Sequence, residues 1–253
     1  MCSVILLLRP DHEWPVLIAA NRDEMADRPS DPPGRHWPEL PEIAAGRDRL
    51  AGGSWLGRND HGVVAAVLNR EGTLGPAPGL RSRGELVLEA LVHADAVAAA
   101  EALTHLDPRA YRSFNMMIAD NRDAFWLRNR SAGRAVEAMP VPPGLSMLTA
   151  HDLNDTGDQR VATYLPRFRA APVPDPDAGD WRGWQALLAN GENESGVARD
   201  SMCIETDWGF GTVSSSLLAL PAPGTPAAAR DSRGLWLFAP GRPDRTPYLP
   251  VQV

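Results

Sequence analysis

Over its first seventy residues the chain sets short apolar runs between polar breaks. Residues 3–8 are apolar, with the β-branched pair Val4-Ile5 near the start, and residues 16–20 form a second such run. Both predict strands buried in a core, Cys2 standing at the head of the first. The link Arg9-Pro-Asp-His-Glu-Trp-Pro15 holds two prolines among polar residues and suits a connection between adjacent antiparallel strands. Gly52-Gly-Ser-Trp-Leu-Gly57 and residues 63–68 predict another pair, with Asn59-Asp-His-Gly62 as the turn. Ser82-Arg-Gly-Glu85 has the form of a capping box, and Leu86, Leu88, Ala90, Leu91 and Leu103 give one long helix an apolar face to about residue 106. Residues 114–119 and 124–127 predict a strand pair around Asp120-Asn-Arg-Asp123. Beyond it, helices are predicted over 157–170 and 181–188, and closing strands over 201–205, 214–220 and 234–238. Proline clusters near 140, 172 and 221 mark loops between elements, and no internal repeat is visible. Strand pairs alternating with helices in blocks, without a βαβ rhythm, predict an α+β layered fold.

Composition narrows the chemistry. At 253 residues and 43% hydrophobic content, a single domain over 1–253 is expected. A formal net charge of -7 opposes nucleic acid and anionic membranes, so a small-molecule substrate or ligand is the expected partner. All 25 basic residues are Arg. Without Lys there is no P-loop ammonium, no Schiff-base nucleophile and no Ser-Lys dyad. Two cysteines, Cys2 and Cys203, make no disulfide framework and no CxxC site, and the first apolar run ends at Arg9, too soon for a signal sequence or membrane span. A cytoplasmic protein is expected. The six histidines show no HExxH or tight ligand spacing, and Gly52-Gly53 lacks the GxGxxG form, so neither a metal nor a nucleotide cofactor is expected.

Three places can carry chemistry. Cys2 follows the initiator Met, and removal of Met1 would leave a free α-amine on the nucleophile itself, able to act as base. The competing reading is a buried thiol that merely opens a strand. In Ala19-Ala20-Asn21-Arg22-Asp23-Glu24 a polar run continues an apolar strand; alternation puts Asn21 and Asp23 on one face and Arg22 and Glu24 on the other. Asp23 is the carboxylate suited to hold the ammonium, against the alternative of a polar strand end. Asn69 ends the run Val63-Val-Ala-Ala-Val-Leu-Asn69, where its amide could serve an oxyanion or simply make a turn.

The blocks Met1-Cys2, Ala19 to Glu24 with Arg28-Pro29, Gly52 to Gly57, Asn69, Ser82-Arg-Gly-Glu-Leu-Val87 and Phe114-Asn115 together resemble the NRDE family, to which the transport and Golgi organisation protein 2 homologues belong. The stretch from Gly57 to Asn69 is also similar to the corresponding run of choloylglycine-hydrolase-type amidases of the N-terminal-nucleophile superfamily. That resemblance implies a four-layer αββα sandwich, with Cys2 as nucleophile, Asp23 at its amine and Asn69 at the oxyanion, and Asn21 and Arg22 in the same site. The pattern departs from those amidases at Ala19-Ala20, where they carry Arg, at Leu148-Thr149-Ala150-His151, where they carry a further Asn, and at Val213 after Gly211-Thr212, where relatives often carry Arg. Two functions remain open at this point: an amidohydrolase acting on a linear, non-peptide amide through a Cys2 thioester, and a haem or acyl-CoA/lipid-binding trafficking protein, for which Cys2 and His61 are candidate haem ligands.

Overall fold

In the computed structural model, which describes residues 2–130, 135–193 and 195–253, the chain runs through β1 (Ser3–Leu8), β2 (Val16–Met25), β3 (Ser30–Gly34), β4 (Ile43–Asp48), β5 (Leu56–Asn59) and β6 (Val64–Asn69) before reaching α1 (Gly84–Leu91) and α2 (Ala96–Thr104). It continues through β7 (Phe114–Ala119), β8 (Ala124–Asn129), β9 (Glu137–Pro140), β10 (Gly144–Leu148), α3 (Gln159–Ala170), α4 (Arg182–Leu188), β11 (Phe210–Leu220), α5 (Pro226–Arg230), β12 (Leu235–Ala239) and β13 (Leu249–Pro250). The strands form two antiparallel sheets, one ordered β10-β1-β2-β11-β12-β13, the other β3-β4-β5-β6-β7-β8-β9.

Strand alternation sorts the core into layers. Val4, Leu6 and Leu8 of β1 pack between the sheets with Leu56, Leu68 and Met117, while Ile5 and Leu7 turn outward onto Val161, Tyr164 and Trp184 of α3 and α4. On the other side, Ala65, Met116 and Ile118 pack against Leu86 and Leu91 of α1 and Leu103 of α2. Each fully buried Leu or Ile in these layers contributes about 1.5–3 kcal/mol. The result is the expected αββα sandwich, and its double coverage explains the unbroken apolar runs: all six residues of β1 are buried.

Several local expectations are corrected. Only the last two residues of Gly52-Gly-Ser-Trp-Leu-Gly57 lie in β5; Gly52 takes φ +77°, and the preceding segment turns. The long helix is two helices, because Asp95 adopts extended φ/ψ and its side chain caps α2 by accepting from the Ala98 N–H. The capping box does not form: Ser82 Oγ accepts from Gly84 N at 3.2 Å, and the Glu85 carboxylate pairs with Arg81 at 2.6 Å. Residues 201–205 make no strand, contributing only a single bridge from Glu205 to Gly211. The sequence also hides β3, whose Pro32-Pro33 sits at an edge with an irregular register, and the short edge strand β9.

One contact places the segment before β5 against the start of α1. Ser54 N–H donates to Gly84 O at 3.0 Å, and a Cβ on Gly53 would stand 2.4 Å from the Gly84 carbonyl carbon. Two otherwise distant motifs therefore meet backbone to backbone, which only glycine permits. Gly53→Ala is expected to cost about 1–3 kcal/mol in urea unfolding. Gly191→Ala, whose added Cβ would meet only Cys203 O at 3.5 Å, is expected to change stability by no more than about 0.5 kcal/mol.

Candidate functional site

In the β1–β2 hairpin Ser3 lies opposite Asn21, so Cys2 and Arg22 come to the same end of the first sheet. Alternation then divides the polar run. Cys2 packs on the inter-sheet side with Val4 and Ala20, and Arg22 and Glu24 share that side, whereas Ser3, Asn21 and Asp23 turn toward α3 and α4. At this end a cleft of about 240 Å³ opens, its wall including Cys2, Arg22 and Glu24 from the first sheet, Trp55 and Asn69 from the other side, and Arg83 from the start of α1.

The Cys2 thiol is partly buried and donates a weak hydrogen bond to the main-chain oxygen of Asp23 over 3.9 Å. Burial pushes its pKa above the ordinary value of 9.0, with the Arg22 guanidinium acting in the opposite direction. At neutral pH the group is a thiol and needs a proton acceptor before it can attack a carbonyl. Arg22 lies with its guanidinium 4.0 Å from the centre of the Trp55 ring and donates to Ser30 Oγ at 3.0 Å.

Asp23 is held on the opposite face. Its side chain is fully buried; Oδ2 accepts from Arg160 Nη1 at 3.1 Å and Oδ1 from Thr212 Oγ1 at 2.7 Å. Arg160 also donates to Ser3 Oγ at 2.8 Å and to the Arg199 carbonyl at 3.0 Å. A bulge between Thr212 and Ser214 in the β2–β11 ladder leaves Val213 unmatched, with Thr212 paired to Asp23 and Ser214 to Arg22.

Asn69, at the end of β6, lines the same cleft as Cys2, and its Nδ2 reaches the Arg70 carbonyl only at 3.3 Å. Arg70 is itself fixed by Asn115 Oδ1 at 2.6 Å and Asp152 at 2.7 Å, and Asn115 Nδ2 donates to the Thr149 and His151 carbonyls beyond β10. Phe114-Asn115 thus ties the two sheets together beside the site. Asn21 is not brought to the thiol: its amide donates to the carbonyls of Leu188 and Met202 at 2.9 Å each, under α4. His61 sits half exposed against Glu42 at 3.2 Å and does not line the cleft, so the two candidate haem ligands do not share a cavity.

Arg160 and Thr212, which hold Asp23, and Trp55, beneath Arg22, were not singled out from the sequence. Arg160 had a signal. It lies on the stripe that carries Tyr164 and Phe168 at intervals of four, and a guanidinium on the buried face of a helix needs a partner in the core.

Solved structures share this architecture. The Caenorhabditis elegans ortholog of N-acylethanolamine-hydrolyzing acid amidase matches with a TM-score of 0.57 at 14% identity, covering 92% of this chain and 97% of that one. The C2A mutant of conjugated bile acid hydrolase from Clostridium perfringens matches with a TM-score of 0.52 at 14% identity, covering 100% of this chain and 97% of its own. Penicillin V acylase from Agrobacterium tumefaciens gives 0.51 at 13%, with 94% and 83% covered. At such identities the likeness speaks for the fold: two antiparallel sheets with flanking helices, of the N-terminal-nucleophile-hydrolase type. By sequence the chain belongs to the Transport and Golgi organisation 2 family, the NRDE family, which residues 1–170 match. The mouse Transport and Golgi organization 2 homolog is 32% identical over 134 residues, 47% of this chain and 45% of the mouse protein, so the alignment spans about half of either. No described helix is long and apolar enough to cross a membrane.

Two measurements check the geometry. Arg160→Met should destabilise the fold by about 3–5 kcal/mol, because it takes a charge partner from buried Asp23 and a donor from Ser3 and Arg199; an effect under about 1 kcal/mol in urea would contradict the buried pair. In protein retaining Met1, the rate of Cys2 alkylation by iodoacetamide should keep climbing as pH rises past 9.0, since burial holds the thiol's pKa above that ordinary value. A plateau near neutrality would contradict a thiol raised by burial. Cys203, buried and with its pKa pushed up to about 11 by burial, should label only on unfolding.

Proposed function

We propose that this chain is an N-terminal-cysteine amidohydrolase that cleaves a linear, non-peptide C–N amide bond through a thioester on Cys2. The observation that carries the reading is the meeting, at one end of the sandwich, of the Cys2 thiol with Asn69 and Arg22 in a single cleft, while Asp23 is anchored on the neighbouring strand. No histidine lines that cleft, and its carboxylates Glu24 and Asp48 both face Arg28, at 3.7 and 2.7 Å. The base assigned here is the α-amine of Cys2, freed by loss of Met1, a residue outside those described. Such an amine titrates at about 7.7 and is partly neutral at physiological pH.

In this mechanism the amine takes the Sγ proton as sulfur attacks the carbonyl carbon. The oxyanion that forms accepts from the Asn69 amide, and Arg22 adds positive charge beside the sulfur. The ammonium, favoured by the field of the Asp23 carboxylate on the neighbouring strand, returns the proton to the departing nitrogen as the C–N bond breaks, releasing an amine and leaving the thioester. Water then attacks that ester; the amine accepts a proton from the water and delivers it to sulfur as the C–S bond breaks. The net change is amide plus water to carboxylic acid plus amine.

Processed protein should hydrolyse N-acyl amides, and its mass should rise by one acyl group when mixed with a slow substrate. Cys2→Ser should keep the fold but slow acylation, because an alkoxide is much harder to form than a thiolate. Asn69→Ala should lower kcat by about 10²–10³ with little change in KM. If protein retaining Met1 turns over or acylates as fast as processed protein, the amine is not the base and this mechanism fails.

A further inference from the structure

The charge lining the cleft runs against the charge of the chain. In a protein of net charge -7, five arginines line this one opening, against the carboxylates of Asp23, Glu24 and Asp48. Those carboxylates are committed elsewhere: Asp23 to Arg160 on the outer face, Glu24 and Asp48 to Arg28. Arg81 pairs with Glu85 at 2.6 Å. Among the described residues no carboxylate pairs with Arg22, Arg83 or Arg112.

The three differ in what they can still offer. Arg112 spends its guanidinium on the carbonyls of Gly72, Leu74, Gly75 and Pro76, at 2.9–3.3 Å, and so holds the 72–76 loop in place. Arg22 has Ser30 Oγ and the Trp55 ring, and Arg83 has Thr73 Oγ1 at 3.1 Å, the Ser113 carbonyl at 3.0 Å and a long contact to Gly75 at 3.4 Å. All these partners are neutral, and a guanidinium carries five N–H donors. Burial pushes both pKa values below the ordinary 12.5; Glu24 opposes the shift at both and Asp48 at Arg22, but neither carboxylate forms an ion pair with them, so both charges have lost water without a direct partner. Arg83 also stands at the start of α1, whose peptide dipoles add positive potential there. Facing them is an apolar wall, with Leu74 46% and Leu80 38% exposed at its rim.

We propose that the cleft receives an amphiphile whose anionic group, a carboxylate or a phosphate, is held by Arg22 and Arg83, its apolar part lying along Leu74 and Leu80. This deepens the amidase reading, on which it rests for the reaction: the amide cleaved at Cys2 carries a negative charge. Arg83 and Arg22 act as specificity determinants, supplying charge-assisted, two-pronged hydrogen bonds that a neutral analogue cannot use.

The test measures binding apart from catalysis. Octanoate, octyl phosphate and neutral octanamide are titrated by calorimetry into full-length Cys2→Ala protein at low salt. The anions are expected to bind at least about tenfold more tightly than octanamide; whichever of the two binds better identifies the anion. Arg83→Gln should remove most of that preference and Arg83→Lys should restore part of it, with urea midpoints confirming that both fold. Equal affinity for all three probes, or an anion preference unchanged in Arg83→Gln and Arg22→Gln, overturns the proposal. Hydrolysis of N-octanoylglycine and N-octanoylglycinamide by protein with Cys2 intact separates the two readings. Anion-selective binding with neither amide cleaved sinks the amidase and supports the anion site. Cleavage of both amides at one rate, without selective binding, sinks the anion site alone.

Discussion

The ion pair between Asp23 and Arg160 is sealed between the first sheet and α3, and the end of the sandwich where the cleft opens is organised around it. Taking two charges out of water costs several kcal/mol per ion, which attraction offsets only when the remaining donors and acceptors are also satisfied. Here Thr212 serves the carboxylate, and Ser3 and the Arg199 carbonyl serve the guanidinium. One interaction therefore ties the start of β1, the end of β2, the bulge of β11 and the first turn of α3. Cys2 stands one residue before that knot, on the opposite face of the sheet, so the thiol inherits its position from side chains on the far face while itself meeting only the main-chain oxygen of Asp23.

This arrangement separates two electrostatic jobs by a single strand. The outer face neutralises its charges internally, in a buried network that admits no ligand. The inner face keeps guanidinium charge in contact with an open space, beside an aromatic ring and apolar side chains. Alternation along β2 makes the division: Asp23 goes one way, Arg22 and Glu24 the other. A one-residue slip of β2 would exchange the two faces, which the buried pairing of Asp23 with Arg160 opposes.

What could be read from the sequence follows from where each signal is stored. β1, β2, β7 and β11 were legible because they are covered on both sides and show it in consecutive apolar residues. β3 was not, because an edge strand with Pro32-Pro33 carries the marks of a loop, and the break between α1 and α2 was missed because the apolar stripe continues through an Asp95 cap. At the site, Arg22, Asp23 and Asn69 announce themselves as polar residues ending apolar strands, and Cys2 as the residue that opens one. Alternation along β2 already assigns Asp23 and Arg22 to opposite faces, whereas Asn21 was grouped in one site with Cys2 and Arg22, whose face its amide does not share. The partner of Asp23 lies 137 residues away on a helix, and no local pattern reports a pairing at that separation.

The contact of Gly53 with Gly84 gives the cleft an unusual kind of permanence. That part of its wall is fixed by main chain pressed on main chain, with Ser54, Trp55, Ser82 and Arg83 projecting from it. Such a wall has no rotamers of its own. Descendants of this protein can therefore exchange the projecting side chains, and with them the chemistry of what is admitted, while the frame that presents those side chains stays where it is. Recognition can drift without the architecture being renegotiated, provided the two glycines are inherited together.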